Sequence, residues 1–301
     1  MKAFRIIFFL TLVCGVAAVS LIFIKEKPQP PFSRSLAPFF QELGKPLKSA
    51  DRVVSRMFPI DEIDEKTLGN EIKLRLAESS KPKTPEEEAT VRYLNSLITF
   101  LSNERRRSFE YQVFLVDGPP NAFAMPGGAL CVTNGLMGVL DNEAELVAIL
   151  GHEIAHVERG HLFDAARGEM LRRKISETSV VTYASDVIHM IVGLSFSKTQ
   201  EDEADEYGFR MLLKKGYDPF AMSTSFEKLI QGTVQKQGAT NPFEDFFTSH
   251  PYTELRIEKF RSRAKLWKQN YPNEKRYLGK KNFEDRVTVF ESEFSDELYR
   301  S

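Results

Sequence analysis

The chain has 301 residues, 42% of them hydrophobic, with 41 Lys and Arg against 42 Asp and Glu and a formal net charge of -1. That balance argues against nucleic acid as the main partner, which selects a basic surface; the one dense basic run, Arg105-Arg106-Arg107, reads as a solvated turn. Two cysteines, Cys14 in an apolar run and Cys131 in a strand-like segment, exclude a disulfide-stapled mini-domain.

Ile6–Ile24 is an uncharged apolar run, preceded by Lys2 and Arg5 and followed by Lys25 and Lys27. It is about as long as the shortest membrane-spanning helix and outlasts the apolar core of a cleaved signal peptide. The preferred reading of residues 1–24 is therefore a signal anchor or transmembrane segment. A signal segment cut near Ala18-Val19-Ser20 is the alternative. The flanking charges put the N-terminus in the cytoplasm and the remainder outside it, periplasmic in a Gram-negative bacterium, or free in the periplasm after cleavage. Residues 25–50, with Pro28, Pro30, Pro31 and Pro38, form an extended tether. Residues 51–270 form the folded domain and residues 271–301 a polar C-terminal tail.

Within the domain, helical spacing is broken near Pro59 and Lys81–Pro85. Glu86–Leu101 makes an amphipathic helix with Ala89, Tyr93, Leu97 and Phe100 or Leu101 on one face. Tyr111–Val116 alternates as a strand, and Asn121–Met125 and Gly128–Thr133 make two more around Pro126-Gly127-Gly128. From Asn142, which pairs with Glu145 as a capping box, the pattern stays helical almost to residue 232. Val187–Phe196 is too short for a second membrane span and reads as a buried helix. Thr233–Ser249 is loop-like; its Phe243, Phe246 and Phe247 are core residues or a lid. Pro251 opens another helix, with Leu255, Ile257 and Phe260 apolar.

Residues 152–156 read His-Glu-Ile-Ala-His inside a helix-competent stretch. Histidines four apart share a helix face and can bind one metal ion, while Glu153, one residue round, is placed to reach water beside the metal. A chain of this composition yields roughly 0.01 such matches by chance. A catalytic zinc needs a third protein ligand and an open position. His161 follows His156 by five residues, about 140° round a continuous helix, which disfavours it as that ligand; it reads as a surface histidine or a group behind the ligands. The extended three-histidine pattern is excluded, because Arg159 and Leu162 stand where it needs Gly and His. Glu201-Asp202-Glu203-Ala204-Asp205 supplies the better candidate: Glu201 as ligand, and Asp205 one turn on to accept a hydrogen bond from a ligand histidine. Glu203 points elsewhere on that helix, and His189 reads as a core or helix-surface histidine.

Together with Asn121–Gly128, the Ser197–Asp205 segment, Ser249-His250-Pro251 and Arg256-Ile257, the motif resembles the HtpX/BepA/Oma-like zinc metallopeptidases of peptidase family M-forty-eight. The likeness runs from about Tyr111 to Ile257, with Lys198 where an arginine is common. It implies a mainly helical α+β gluzincin fold with a small antiparallel β-sheet, and an endopeptidase with one Zn2+ per chain held by His152, His156 and Glu201. Glu153 would be the catalytic base. His250 would be either a transition-state donor or a reversible extra zinc ligand, and the alternative for it is a structural histidine. Asp205 would stand behind the ligands, and Arg256 either orders the site or is an exposed arginine. Asn121, Ala122, Phe123 and Ala124 form an edge strand for extended substrate, or an ordinary hairpin strand. The expected partners are unfolded or misassembled proteins and, through the N-terminal segment, a membrane; no oligomeric state is implied. The function this favours is envelope protein quality control by proteolysis, the alternative a non-proteolytic or regulated chaperone-like zinc protein.

Overall fold

The computed structural model describes residues 59–176, 180–192, 194–234, 250 and 253–300. The N-terminal anchor, the tether, the Phe243–Phe247 loop and Pro251 lie outside the described residues, and no described helix is long and apolar enough to cross a membrane.

Helix α1 (Glu62–Ser79) starts on a capping box in which the side chains of Asp61 and Asp64 each accept a backbone N–H of the other. Helix α2 (Pro85–Leu101) starts on Thr84, with Pro at its first position and Glu86, Glu87 and Glu88 in the first turn, where its dipole favours anions. Tyr93, Leu97 and Leu101 are buried, while Ala89 and Phe100 are half-buried. Strands β1 (Gln112–Val116), β2 (Ala122–Ala124) and β3 (Ala129–Thr133) form a sheet in the order β1-β3-β2.

That sheet is mixed, not antiparallel. β2 pairs antiparallel with β3 as a hairpin, but β1 pairs parallel with β3, from Gln112↔Ala129 to Val116↔Thr133. The chain after β1 passes through Gly118, Pro119 and Pro120 to the far edge before β2 begins, so β3 returns between the two. Strand alternation alone cannot distinguish these orders, since it does not depend on the direction of the neighbour. The hairpin turns through Gly127 (φ 74°) and Gly128 (φ 88°). A Cβ on Gly69 of α1 would lie 2.6 Å from the Gly127 Cα, so both glycines are needed for this approach.

A short helix α3 (Asn134–Met137) leads to α4 (Glu143–Glu158), which carries the His-Glu-x-x-His motif and is buried at every position from Glu143 to Val157. Asn142 caps α4 by accepting the Glu145 N–H, but Glu145 accepts from Asp141 instead of returning to Asn142, so the box is half made. The long helical stretch resolves into α5 (His161–Ser176), α6 (Val180–Val192), α7 (Lys198–Lys214) and α8 (Ala221–Val234). Ala184, Val187 and Ile191 bury one face of α6, whereas His189 is exposed. Helix α7 starts on a Ser197/Gln200 capping box and buries Glu201, Ala204, Asp205, Gly208, Phe209 and Leu212 in one stripe facing α4. The two helices meet at Gly151 and Gly208, where a Cβ on Gly208 would stand 3.0 Å from the His152 backbone nitrogen.

Helix α9 (Thr253–Asn270) buries Arg256, Ile257, Phe260 and Ala264. Leu255, expected on the apolar face, is 68% exposed, and the neighbouring arginine takes the inward place. The segment after residue 271 is not a tail. It forms β4 (Lys275–Tyr277), α10 (Lys280–Asp285) and β5 (Leu298–Arg300), with β4 and β5 antiparallel, and belongs to the same unit as the rest of residues 55–301. Tyr277 and Phe283 join the core, and the carbonyls of Gly279 and Leu278 accept the first N–H groups of α4, those of Glu143 and Ala144. The apolar anchors are few and sparse, so periodicity does not reveal them.

Candidate metal centre

Helix α4 presents His152 and His156 one turn apart, α7 presents Glu201, and His250 enters just before α9. One ligand atom from each of these four buried residues lies within 4.8 Å of all the others. His152 Nε2 stands 3.2 Å from both His156 Nε2 and His250 Nδ1. Glu201 Oε1 is 2.9 Å from His250 Nδ1 and 3.5 Å from His156 Nε2, and Glu201 Oε2 is 3.7 Å from His152 Nε2.

These separations test the site for zinc. Zinc bonds of about 2.0–2.1 Å in a tetrahedron put neighbouring ligand atoms about 3.3 Å apart, in the middle of the observed spread. Burial pushes all three imidazoles down, His156 and His250 well below the ordinary histidine range, which keeps them neutral. Three neutral rings aiming nitrogens at one point beside a carboxylate is an arrangement that a cation satisfies. The donor set fits a single zinc ion.

Behind the donors stands a second layer. His152 Nδ1 donates to Asp205 Oδ1 at 2.9 Å, which points the Nε2 lone pair inward. Arg256 donates to both Asp205 oxygens, at 2.7 and 2.8 Å, and its Nη1 lies 2.7 Å from Glu201 Oε2. Against the cost of burial, Arg256 and the His152 hydrogen bond hold Asp205 down to about 2. Arg256 is thus a buried cation that ties α9 to two carboxylates of α7. Its guanidinium also lies 4.3 Å from the Phe226 ring centroid of α8.

Glu153 occupies the remaining side. Its Oε2 accepts the Ala124 N–H at 2.9 Å, and its Oε1 lies 3.6 Å from His250 Nε2 with no hydrogen-bond partner among the described residues. Burial, reinforced by the Glu201 charge, pushes Glu153 well above the usual carboxylate range. Residues 121–124 lie on the outer strand of the sheet, beside this carboxylate, with their side chains buried. Asn121 and Met125 spend backbone hydrogen bonds on Thr133 and Ala129, so by alternation Ala122 and Ala124 face the edge of the sheet that no described strand pairs with. Asn121 and Phe123 do not.

Sequence reasoning missed two aromatic walls. Phe196, 8% exposed, lies 3.8 Å from the His156 ring centroid and stacks on His250 at 5.6 Å. Phe226 meets His152 edge-on at 6.4 Å. A phenylalanine carries no signal that separates a site wall from ordinary core. For His161 the structure selects the second of the two sequence readings, a group behind the ligands. It is buried and its Nδ1 lies 3.1 Å from His156 Nδ1.

Residues 86–264 match the model of Peptidase family M48. The chain belongs to that family. The matched span of this M48 chain contains every residue of the centre, from Asn121 to Arg256. It is 31% identical over 192 residues to the beta-barrel assembly-enhancing protease of Escherichia coli, covering 57% of this chain and 38% of that protein. Metalloprotease LoiP of Escherichia coli is 31% identical over 173 residues, 54% of this chain and 65% of the relative. The mitochondrial metalloendopeptidase OMA1 of Arabidopsis thaliana is 28% identical over 146 residues, 47% of this chain and 29% of the relative. The chain thus spans between about a third and two thirds of the length of these relatives.

Proposed function

We propose that this protein is a zinc-dependent endopeptidase that hydrolyses peptide bonds in unfolded or damaged envelope and membrane proteins. The observation that carries the reading is the convergence of His152, His156 and Glu201 on one point, with Glu153 on the same helix beside it. The relatives, a beta-barrel assembly-enhancing protease among them, support the substrate class. The charges flanking Ile6–Ile24 support a membrane tether with the peptidase domain outside the cytoplasm, periplasmic in a Gram-negative cell, or released there after signal cleavage.

A zinc ion at this site supplies Lewis acidity to a peptide carbonyl and acidifies water. The chain supplies the rest. Glu153 accepts the proton of the attacking water and returns it to the leaving amine. The Ala124 N–H fixes one of its oxygens and leaves the other for that exchange. Ala122 N–H and C=O, with Ala124 C=O, offer an extended peptide backbone pairing along the open edge of β2, which reads little side-chain identity and suits unfolded substrates. Phe196 and Phe226 limit water around the ligands.

His250 supports a second, regulated reading. Its Nδ1 fills the fourth corner of the donor set, the position a hydrolytic water needs. Swinging that ring out opens the site, and its Nε2 then has an oxyanion to donate to. A protein that kept His250 seated would bind unfolded chains without cutting them.

Cleavage of casein by wild type and Glu153→Gln decides between the two. The variant keeps one zinc per chain and loses about 10²–10⁴ in rate, the usual worth of a general base. Equal cleavage by both proteins refutes the mechanism. Absence of cleavage by both, with unfolded protein retained, selects the regulated or chaperone-like reading.

A further inference from the structure

His161 stands five residues after His156 and would point away from the ligand face if α4 continued. It does not continue. Helix α4 ends at Glu158, Gly160 takes a left-handed conformation (φ 75°), and α5 begins at His161 itself. The reversal folds the His161 ring back onto the helix it has just left. Its Nδ1 comes 3.1 Å from His156 Nδ1, and its Nε2 comes 3.1 Å from Glu203 Oε2 on α7. Glu203 lies off the buried stripe of α7 and its side chain is half exposed. The row therefore runs from a buried metal donor, through a buried histidine, to a carboxylate at the surface.

Only one proton arrangement along that row is compatible with a metal at His156 Nε2. A neutral imidazole has one N–H and one lone pair. If His156 Nε2 offers its lone pair inward, Nδ1 carries the hydrogen and donates to His161 Nδ1. The accepting nitrogen of His161 then has no hydrogen, so its proton is on Nε2 and is donated to Glu203. The reverse assignment puts a hydrogen on His156 Nε2, aimed at His152 Nε2, and excludes a cation.

We propose that His161, backed by Glu203, is a positioning residue for zinc: it accepts from His156 Nδ1 and so holds that ring in the metal-binding tautomer and orientation. The proposal rests on His156 being a zinc ligand. The two histidines of the motif are then held differently. His152 leans on Asp205, a buried carboxylate clamped by Arg256. His156 leans on a neutral ring whose own partner reaches solvent. Groups behind a metal ligand are typically worth about 10–100-fold in metal affinity.

The test measures zinc affinity of the full chain by competition with a chromophoric chelator. Wild type, His161→Phe and His161→Gln are compared, with thermal midpoints of the zinc-free forms. Phenylalanine keeps a ring packed near Phe196, 6.3 Å away, but has no acceptor; glutamine restores one. The expected result is one zinc per wild-type chain, about 10–100-fold weaker binding by His161→Phe at an unchanged zinc-free midpoint, and recovery of most of that loss in His161→Gln. Nitrogen-15 NMR of zinc-loaded wild type reads the tautomers directly and needs no variant to fold. His156 is expected as the Nδ1–H form and His161 as the Nε2–H form. Wild-type affinity in His161→Phe, or an Nδ1–H tautomer at His161, overturns the proposal and leaves the zinc site standing. Failure of wild type to bind zinc overturns the metal reading itself.

Discussion

Glu143 opens the motif helix, is fully buried and lies nine residues before His152 outside the donor cluster, so its titration can be read as a stability effect. Its Oε1 accepts from the Tyr217 hydroxyl at 2.6 Å and from the Val289 N–H at 3.1 Å. Its Oε2 has no aligned partner among the described residues. Burial outweighs these hydrogen bonds and raises the carboxyl to about 7 from an ordinary 4.5. Between those two values the folded state binds more protons than the unfolded chain, so stability falls as pH rises through the window. Moving that titration from 4.5 to about 7 puts the loss at about 3 kcal/mol between pH 4.5 and pH 7–8. Glu143→Gln removes the titration while its amide oxygen can still accept from Tyr217 and Val289. Urea unfolding of zinc-free protein at pH 5, 6, 7 and 8 should give a wild-type-minus-variant difference that changes by about 2–3 kcal/mol across the series, the variant gaining relative stability as pH rises. A difference that is flat with pH would refute the reasoning, because the carboxyl would then ionise alike in both states.

Three further outcomes follow from the centre and its supports. Arg256→Met leaves Asp205 and Glu201 buried beside each other without their cation, and should cost about 3–5 kcal/mol in zinc-free unfolding. Added zinc should recover part of that loss by neutralising Glu201; a cost below about 1 kcal/mol would mean the arginine is incidental. In wild type, Asp205 at about 2 contributes stability above its ordinary 3.8 that is lost as pH falls through the folded value, and Arg256→Met should abolish that acid limb. Gly208→Ala sets a methyl 3.0 Å from the His152 backbone nitrogen, so the two motif helices must separate. The expected cost is about 1–3 kcal/mol with weaker zinc binding, checked by thermal unfolding and chelator competition.

The metal motif was legible because both histidines and Glu153 lie on one helix, where spacing alone assigns faces. Glu201 and Asp205 were legible for the same reason on α7, once the histidine pair implied a need for carboxylates. Helix spacing excludes His161 as a ligand, but it cannot choose between the surface and a place behind His156, because that choice depends on the reversal at Gly160. Sequence alone does not place Arg256, because a lone arginine beside apolar residues looks alike inside or out; two carboxylates from another helix bring it in. The mixed sheet and the packed segment after residue 271 were hidden for a related reason. Strand direction and the docking of Tyr277 and Phe283 depend on partners far along the chain.

By itself, then, the amino-acid sequence determined where helical and strand character lies before residue 271, and the chemistry of the donors, since these depend on residues within one or two turns of each other. The tertiary structure decided which groups stand behind those donors: Asp205 and Arg256 for His152, and His161 with Glu203 for His156. Those partnerships come from the crossing of α4 and α7 at two glycines and from the reversal after Glu158. The physical reason is one of range. Hydrogen bonds and periodicity within an element are written in neighbouring residues, whereas orientation of a buried polar group is set by whichever distant element fills the space beside it.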